Sequence, residues 1–179
     1  MKRGVRRYTF IVIIALTVTA GWAAAAGTRR EQPVVRITRK PTGILYSAFP
    51  TIELYRDGSV WIQRSDGTTV TRTIGVARLS MVLKKLDKLG FYHITTHSVD
   101  ASMQQPPKIT KTPNGVEAKT ERFIITDCDT TTVTVRQDAR VHTVSCYAVE
   151  EMAEHYPRAT DLNILKKTIA EVYKAVGES

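Results

Sequence analysis

An α+β fold built on one antiparallel sheet is predicted by three features of this 179-residue chain. Two Asp-Gly turns sit between short alternating runs, two amphipathic stretches have helical period, and further branched, alternating runs follow the middle of the chain. Together they predict about five to seven strands with two helices packed on one face, an arrangement that also reads as two ββα-like halves.

The first 26 residues read as an export signal. Lys2, Arg3, Arg6 and Arg7 precede an apolar run from Thr9 to Ala26 that ends Ala23-Ala24-Ala25-Ala26-Gly27, the order of basic head, apolar middle and small-residue cleavage site. The alternative is an uncleaved anchor, since this run falls just inside the length of a spanning helix. A membrane is expected as a partner only in that case. Removing residues 1–26 takes four of the 26 basic residues and none of the 17 acids, so 22 basic residues against 17 acidic ones leave a mature charge of +5. That excess favours solubility and gives no support to nucleic-acid binding.

Residues 27–42 carry Arg29, Arg30, Arg36, Arg39 and Lys40, with Pro33 and Pro41 interrupting regular structure, which reads as a basic linker; alternatively Val34, Val35 and Ile37 add a first strand. The domain is expected to begin near residue 43 and run to 177. Ile52 and Leu54 alternate with polar neighbours, as do Val60 and Ile62 beyond Arg56-Asp57-Gly58. A two-residue turn would divide these four apolar side chains between faces. A three-residue loop with Gly58 left-handed pairs Leu54 with Val60 and Ile52 with Ile62, gathering all four on one face. The same device at Ser65-Asp66-Gly67 sets Ile62 opposite Val70.

Ser80 is the expected N-cap of a helix with a stripe of Val82, Leu83, Leu86 and Leu89, stopped by Gly90. From about 95 to 119 periodicity is lost among Pro106, Pro107, Pro113 and Gly115, which predicts a mobile loop. Strands are expected at 123–126, 130–136 and 140–147. A last helix starts at Thr160 or Asp161 and runs to about Val176, with Leu162, Leu165, Ile169, Val172, Tyr173 and Val176 as its buried stripe. Similar runs at 51–57 and 132–138, and Leu-Lys-Lys at 83 and 165, are the basis for the two-halves reading.

Chemistry is sparse. Cys128 and Cys146 predict one disulfide in an oxidising compartment. His93 and His97 have the spacing of a helical metal pair, but follow a helix stop in a branched stretch that reads as extended, so no metal site and no cofactor are expected. Asp127 and Asp129 could stand beside His142 in a small secreted hydrolase, although acids at a turn more commonly bond backbone N–H groups. No nucleophile elbow or phosphate-cradling loop is present. Glu53, Tyr55 and Trp61 fall on the outer face of the first hairpin, the composition of a binding patch.

The run Ala48-Phe49-Pro50-Thr51-Ile52-Glu53-Leu54-Tyr55-Arg56-Asp57-Gly58-Ser59-Val60, the helix ending Gly90-Phe91, and Thr126-Asp127 before a second hairpin resemble a family of exported bacterial domains of unknown function, over about residues 45 to 177. Members often carry cysteines just before the proline, where this chain has Ser47-Ala48-Phe49. The resemblance implies export and no particular activity. The expectation is a non-catalytic binding or envelope-associated module with an envelope or extracellular partner, presenting Tyr55, Trp61 and Glu53; the alternatives are the hydrolase and an inhibitor presenting the 95–119 loop.

Overall fold

The structure is a computed structural model that describes residues 31–42, 49–104, 108–112, 115–119, 123 and 125–178. The expected signal at 1–26, with the start of the linker, lies outside the described residues.

The strands are β1 (Val35–Pro41), β2 (Thr51–Leu54), β3 (Ser59–Gln63), β4 (Thr69–Thr73), β5 (Lys108–Thr112), β6 (Gly115–Lys119), β7 (Asp129–Gln137) and β8 (Arg140–Tyr147). The helices are α1 (Val76–Leu89), α2 (Thr96–Ser102), α3 (Val149–His155) and α4 (Thr160–Val176). Six strands form one antiparallel sheet in the order β4-β3-β2-β1-β7-β8, and β5 pairs with β6 in a separate hairpin.

The first turn has the register that parity demands: Leu54 pairs with Val60 and Ile52 with Ile62, with Gly58 at φ +82°. Tyr55 N–H donates to the Ser59 carbonyl and Gly58 N–H to the Tyr55 carbonyl. The second turn repeats the design with Gly67 at φ +80°, and Ile62 faces Val70. In both, the aspartate accepts from the backbone N–H and the hydroxyl two residues on, Asp57 from Ser59 and Asp66 from Thr68. These bonds to the ionised form hold both carboxyls below their ordinary pKa.

Residues 35–41 of the segment read as a linker form one of the two middle strands, the alternative that Val35 and Ile37 suggest. β1 pairs along its whole length with β7, from Val35 opposite Val135 to Pro41 opposite Asp129, and its first three residues pair with β2. Val35 and Ile37 are fully buried while Arg36 points to the open face. Proline at the last position of the strand withdraws no donor from the middle of the ladder.

One core joins these inward residues to Leu79, Val82 and Leu86 of α1 and to Leu162, Leu165, Ile169 and Val172 of α4. α1 begins at Val76, after Gly75, a turn before the Ser80 expected from capping chemistry; it stops at Gly90, φ +86°, as expected. α4 has the expected bounds. Both segments that carry the matched runs hold a hairpin followed by a long helix. Those hairpins fan out from β1 in opposite directions with their lead strands parallel, so overlaying one on the other would put the helices on opposite faces.

The stretch 95–119 is not a structureless loop. Thr95 caps α2 in a reciprocal capping box with Ser98, and β5 and β6 form a hairpin on which Ile109 and Val116 are 66% and 67% exposed. No strand occupies the described residues of 123–126; Phe123 instead stacks on His155, the last residue of α3, at 3.7 Å between ring centroids. Among the described residues no helix is long and apolar enough to cross a membrane.

Candidate ligand cleft

Parity places an arginine inside the sheet. Val35, Ile37 and Arg39 share one face of β1, so Arg39 enters the protein beneath α3 and α4 with its side chain only 3% exposed. A buried guanidinium needs a counter-charge with matching geometry. Glu150, in the first turn of α3, supplies it through two parallel bonds, Nη1 to Oε2 at 3.0 Å and Nη2 to Oε1 at 2.6 Å. The Phe49 ring lies against the guanidinium, 3.8 Å from Cζ to the ring centroid. Burial works against both charges, but the shared bonds and mutual attraction win: Arg39 is held above its ordinary pKa and Glu150 below.

Arg39 and Phe49-Pro50 form one wall of a cleft of about 920 Å³. The opposite wall is a face of α4: Lys166, Ile169, Ala170, Tyr173 and Lys174 all line the cleft, spaced i, i+3, i+4, i+7 and i+8. The Tyr173 hydroxyl donates to the Pro50 carbonyl at 3.0 Å, tying the walls together, and burial pushes that phenol above its ordinary pKa. The β3–β4 turn closes the far end with Arg64 and Asp66. There Glu178 bridges Arg64 at 3.3 Å and Arg72 at 3.1 Å, while Arg72 also donates to the Val176 carbonyl at the end of α4.

The residues singled out from the sequence lie elsewhere. Glu53 pairs with Trp61 across β2 and β3 on the open face, but its carboxylate is occupied by Arg36 Nε at 3.0 Å and the Tyr55 hydroxyl at 2.6 Å. Glu53 is 8% exposed and Tyr55 and Trp61 are half-buried, so the patch is an internally bonded cluster and not an exposed carboxylate between two exposed aromatics.

The hydrolase constellation is not assembled. His142 pairs with Val135, six residues along β7 from Asp129, which is about 20 Å at 3.3 Å per residue. Asp127 lies beyond Asp129, at φ +61°. His142 turns inward and packs edge-on against Phe91, ring centroids 5.1 Å apart.

The expected disulfide is absent, and both thiols are free. Cys146 pairs with Thr131, whereas Cys128 lies three residues before Thr131, on the opposite parity and about 10 Å along the strand, too far for a bridge. Burial pushes the Cys146 thiol up to about 12, and burial with Glu151 nearby raises Cys128 as well, so neither is an activated thiolate. His93 ends a 3₁₀ turn (Phe91–His93) and His97 lies in the first turn of α2, a helical pair of elements where an extended run was expected. Among the described residues no group of three or more His, Cys, Asp or Glu is placed to hold a metal.

Sequence reasoning missed Arg39, Phe49 and Lys166. Two signals pointed toward them: Arg39 continues the inward parity of Val35 and Ile37, and the α4 stripe is wide enough at Ile169 and Tyr173 to line a cleft as well as a core. In comparisons with known proteins the chain matches no family model, no curated protein and no solved structure, so the likeness to an exported domain family rests on its motifs alone.

Proposed function

We propose that this chain is an exported, non-catalytic binding module whose ligand occupies the cleft between α4, Arg39 and Phe49-Pro50. The observation that carries the reading is a concave site of about 920 Å³, apolar along its middle and polar at its ends, the usual make-up of a small-molecule site. Its carboxylates are already bonded within the protein: Glu150 to Arg39, Glu178 to two arginines and Asp66 to its own turn. Among the described residues lining it, no nucleophile is paired with a base, which favours binding over turnover. Export is supported by the order of charge and apolarity in residues 1–26. The expected partner class is an envelope or extracellular one, without nucleic acid, and a membrane enters only through an uncleaved N-terminal segment. A second reading keeps the open sheet face around the half-buried Trp61 as the contact surface.

Ala170 is exposed and lines the cleft, so Ala170→Trp fills the site without entering the core. Thermal-shift titration with small amphiphiles, using intact protein and this variant, tests the reading. Ligand-induced stabilisation that disappears in Ala170→Trp, with helical circular dichroism retained, supports it. Stabilisation that persists in the variant, or that is lost only in Trp61→Ala, refutes it. Export is tested separately by the mass of protein recovered from outside the cytoplasm, expected to begin at Ala26 or Gly27.

A further inference from the structure

The side-chain charge left facing the cleft is cationic. Glu150, Glu178 and Asp66 are occupied by partners inside the protein, and Arg39 is held by Glu150 and Phe49. The ammonium groups of Lys166 and Lys174 make no hydrogen bond or ion pair to another described residue, although the Lys174 carbonyl accepts from Arg78. The two lysines are not equivalent. Lys174 is exposed, where solvent screens its charge, and the nearby Glu171 is taken by Lys85 at 2.8 Å. Lys166 is half-buried beside the Arg39–Glu150 pair, where one cation remains after that pair cancels, and where screening by solvent is weaker. One helical turn further on, Ile169 and Tyr173 continue the same wall as an apolar surface, with Ala170 leaving room between them.

Building on the cleft reading, we infer that the ligand is an amphiphilic organic anion: its acidic head meets Lys166 at the Arg39 end, and its apolar body lies along Ile169, Tyr173 and Phe49. The head needs a compact anionic group, a carboxylate or a phosphate monoester, because a single ammonium recognises it as a point charge and not through a bidentate fork. The apolar body displaces water chiefly from the exposed Phe49 ring, from Ala170 and from the half-buried Tyr173 ring, and this part of the affinity is independent of charge.

Three probes of equal chain length separate these contributions: decanoate, decanol and decyltrimethylammonium, each titrated below its micelle concentration by calorimetry against the full chain. Decanoate is expected to bind most tightly and decyltrimethylammonium most weakly, with decanoate losing affinity as salt is raised. Lys166→Gln is expected to weaken decanoate about tenfold, which corresponds to about 1.4 kcal/mol, and to leave decanol unchanged. Lys167→Gln, at an exposed position of the same helix outside the cleft, is expected to change decanoate less than twofold. If decanol binds as tightly as decanoate, or if Lys166→Gln has no effect, the head-group assignment is overturned while the cleft reading stands. If none of the three binds, or if binding survives Ala170→Trp, the cleft reading falls and the inference with it.

Discussion

Gly58 and Gly67 occupy the same position in two turns of the same design, with nearly the same backbone angle, yet replacing them by alanine has very different consequences. Both adopt φ near +80°, where an alanine costs about 1–2 kcal/mol and recovers about 0.4–1 kcal/mol through the unfolded chain. For Gly67 nothing lies within 4 Å of the added methyl, so Gly67→Ala is expected to destabilise by about 1 kcal/mol or less. At Gly58 the new Cβ would lie 2.5 Å from the Gly75 carbonyl carbon and 2.8 Å from Val76 N. Ordinary contact begins at 3.4 Å, so the turn and the start of α1 must separate by nearly an ångström, and both sides of the contact are backbone. The Ile74 N–H to Gly58 carbonyl bond at 2.9 Å crosses the same gap. Overpacking of this kind adds about 1–3 kcal/mol, for a total near 2–4 kcal/mol. Urea unfolding followed by circular dichroism reads the difference as a shift in midpoint at constant slope. Equal losses in the two variants would refute the account of the first turn as a wedge against α1.

The Arg39–Glu150 pair supplies two more predictions. Glu150→Ala leaves a buried guanidinium without its counter-charge and is expected to cost about 2–4 kcal/mol, with the partial exposure of Glu150 favouring the lower half, whereas Arg39→Met with Glu150→Leu is expected to be near neutral; equal losses in the single and double variants would contradict this. Because the folded-state pKa of Glu150 lies below its unfolded value, its contribution is present above the unfolded value and is lost as pH falls through the folded one. The intact protein should therefore lose more stability on acidification than Glu150→Gln, and parallel pH profiles from denaturant melts would contradict the assignment. Thr131 and Thr168 are fully buried, with hydroxyls that find no partner among the described residues. Thr131→Val and Thr168→Val are accordingly expected to leave the melting temperature unchanged or raise it, and a fall of several degrees in either would count against those sites being dry.

The turns, the strand register around Leu54 and Val60, and the bounds of α4 were legible because each depends on chemistry local in sequence: a glycine at positive φ, an aspartate bonding two residues on, a stripe of one period. β1 was obscured by its own composition, since three charged side chains, Arg36, Arg39 and Lys40, suggest solvent until Glu53 and Glu150, far along the chain, are seen to receive two of them. α3 opens at Ala148 with φ +50° and no side-chain cap, so no capping residue announced it. The disulfide expectation followed from compartment and count, and strand register, which is a tertiary property, overrides it. The cleft was not legible as a site at all: residues 39, 49–50, 64–66 and 166–178 meet only after β1 has entered the sheet between β2 and β7.

Backbone amide shifts of the full chain titrated with decanoate test the central claim most directly. The account predicts that the perturbed amides cluster at Phe49, at Arg64 to Asp66 and along Lys166 to Gly177, while those of Glu53, Tyr55 and Trp61 stay still. Perturbations centred on Tyr55 and Trp61, or scattered without a cluster along α4, would contradict it.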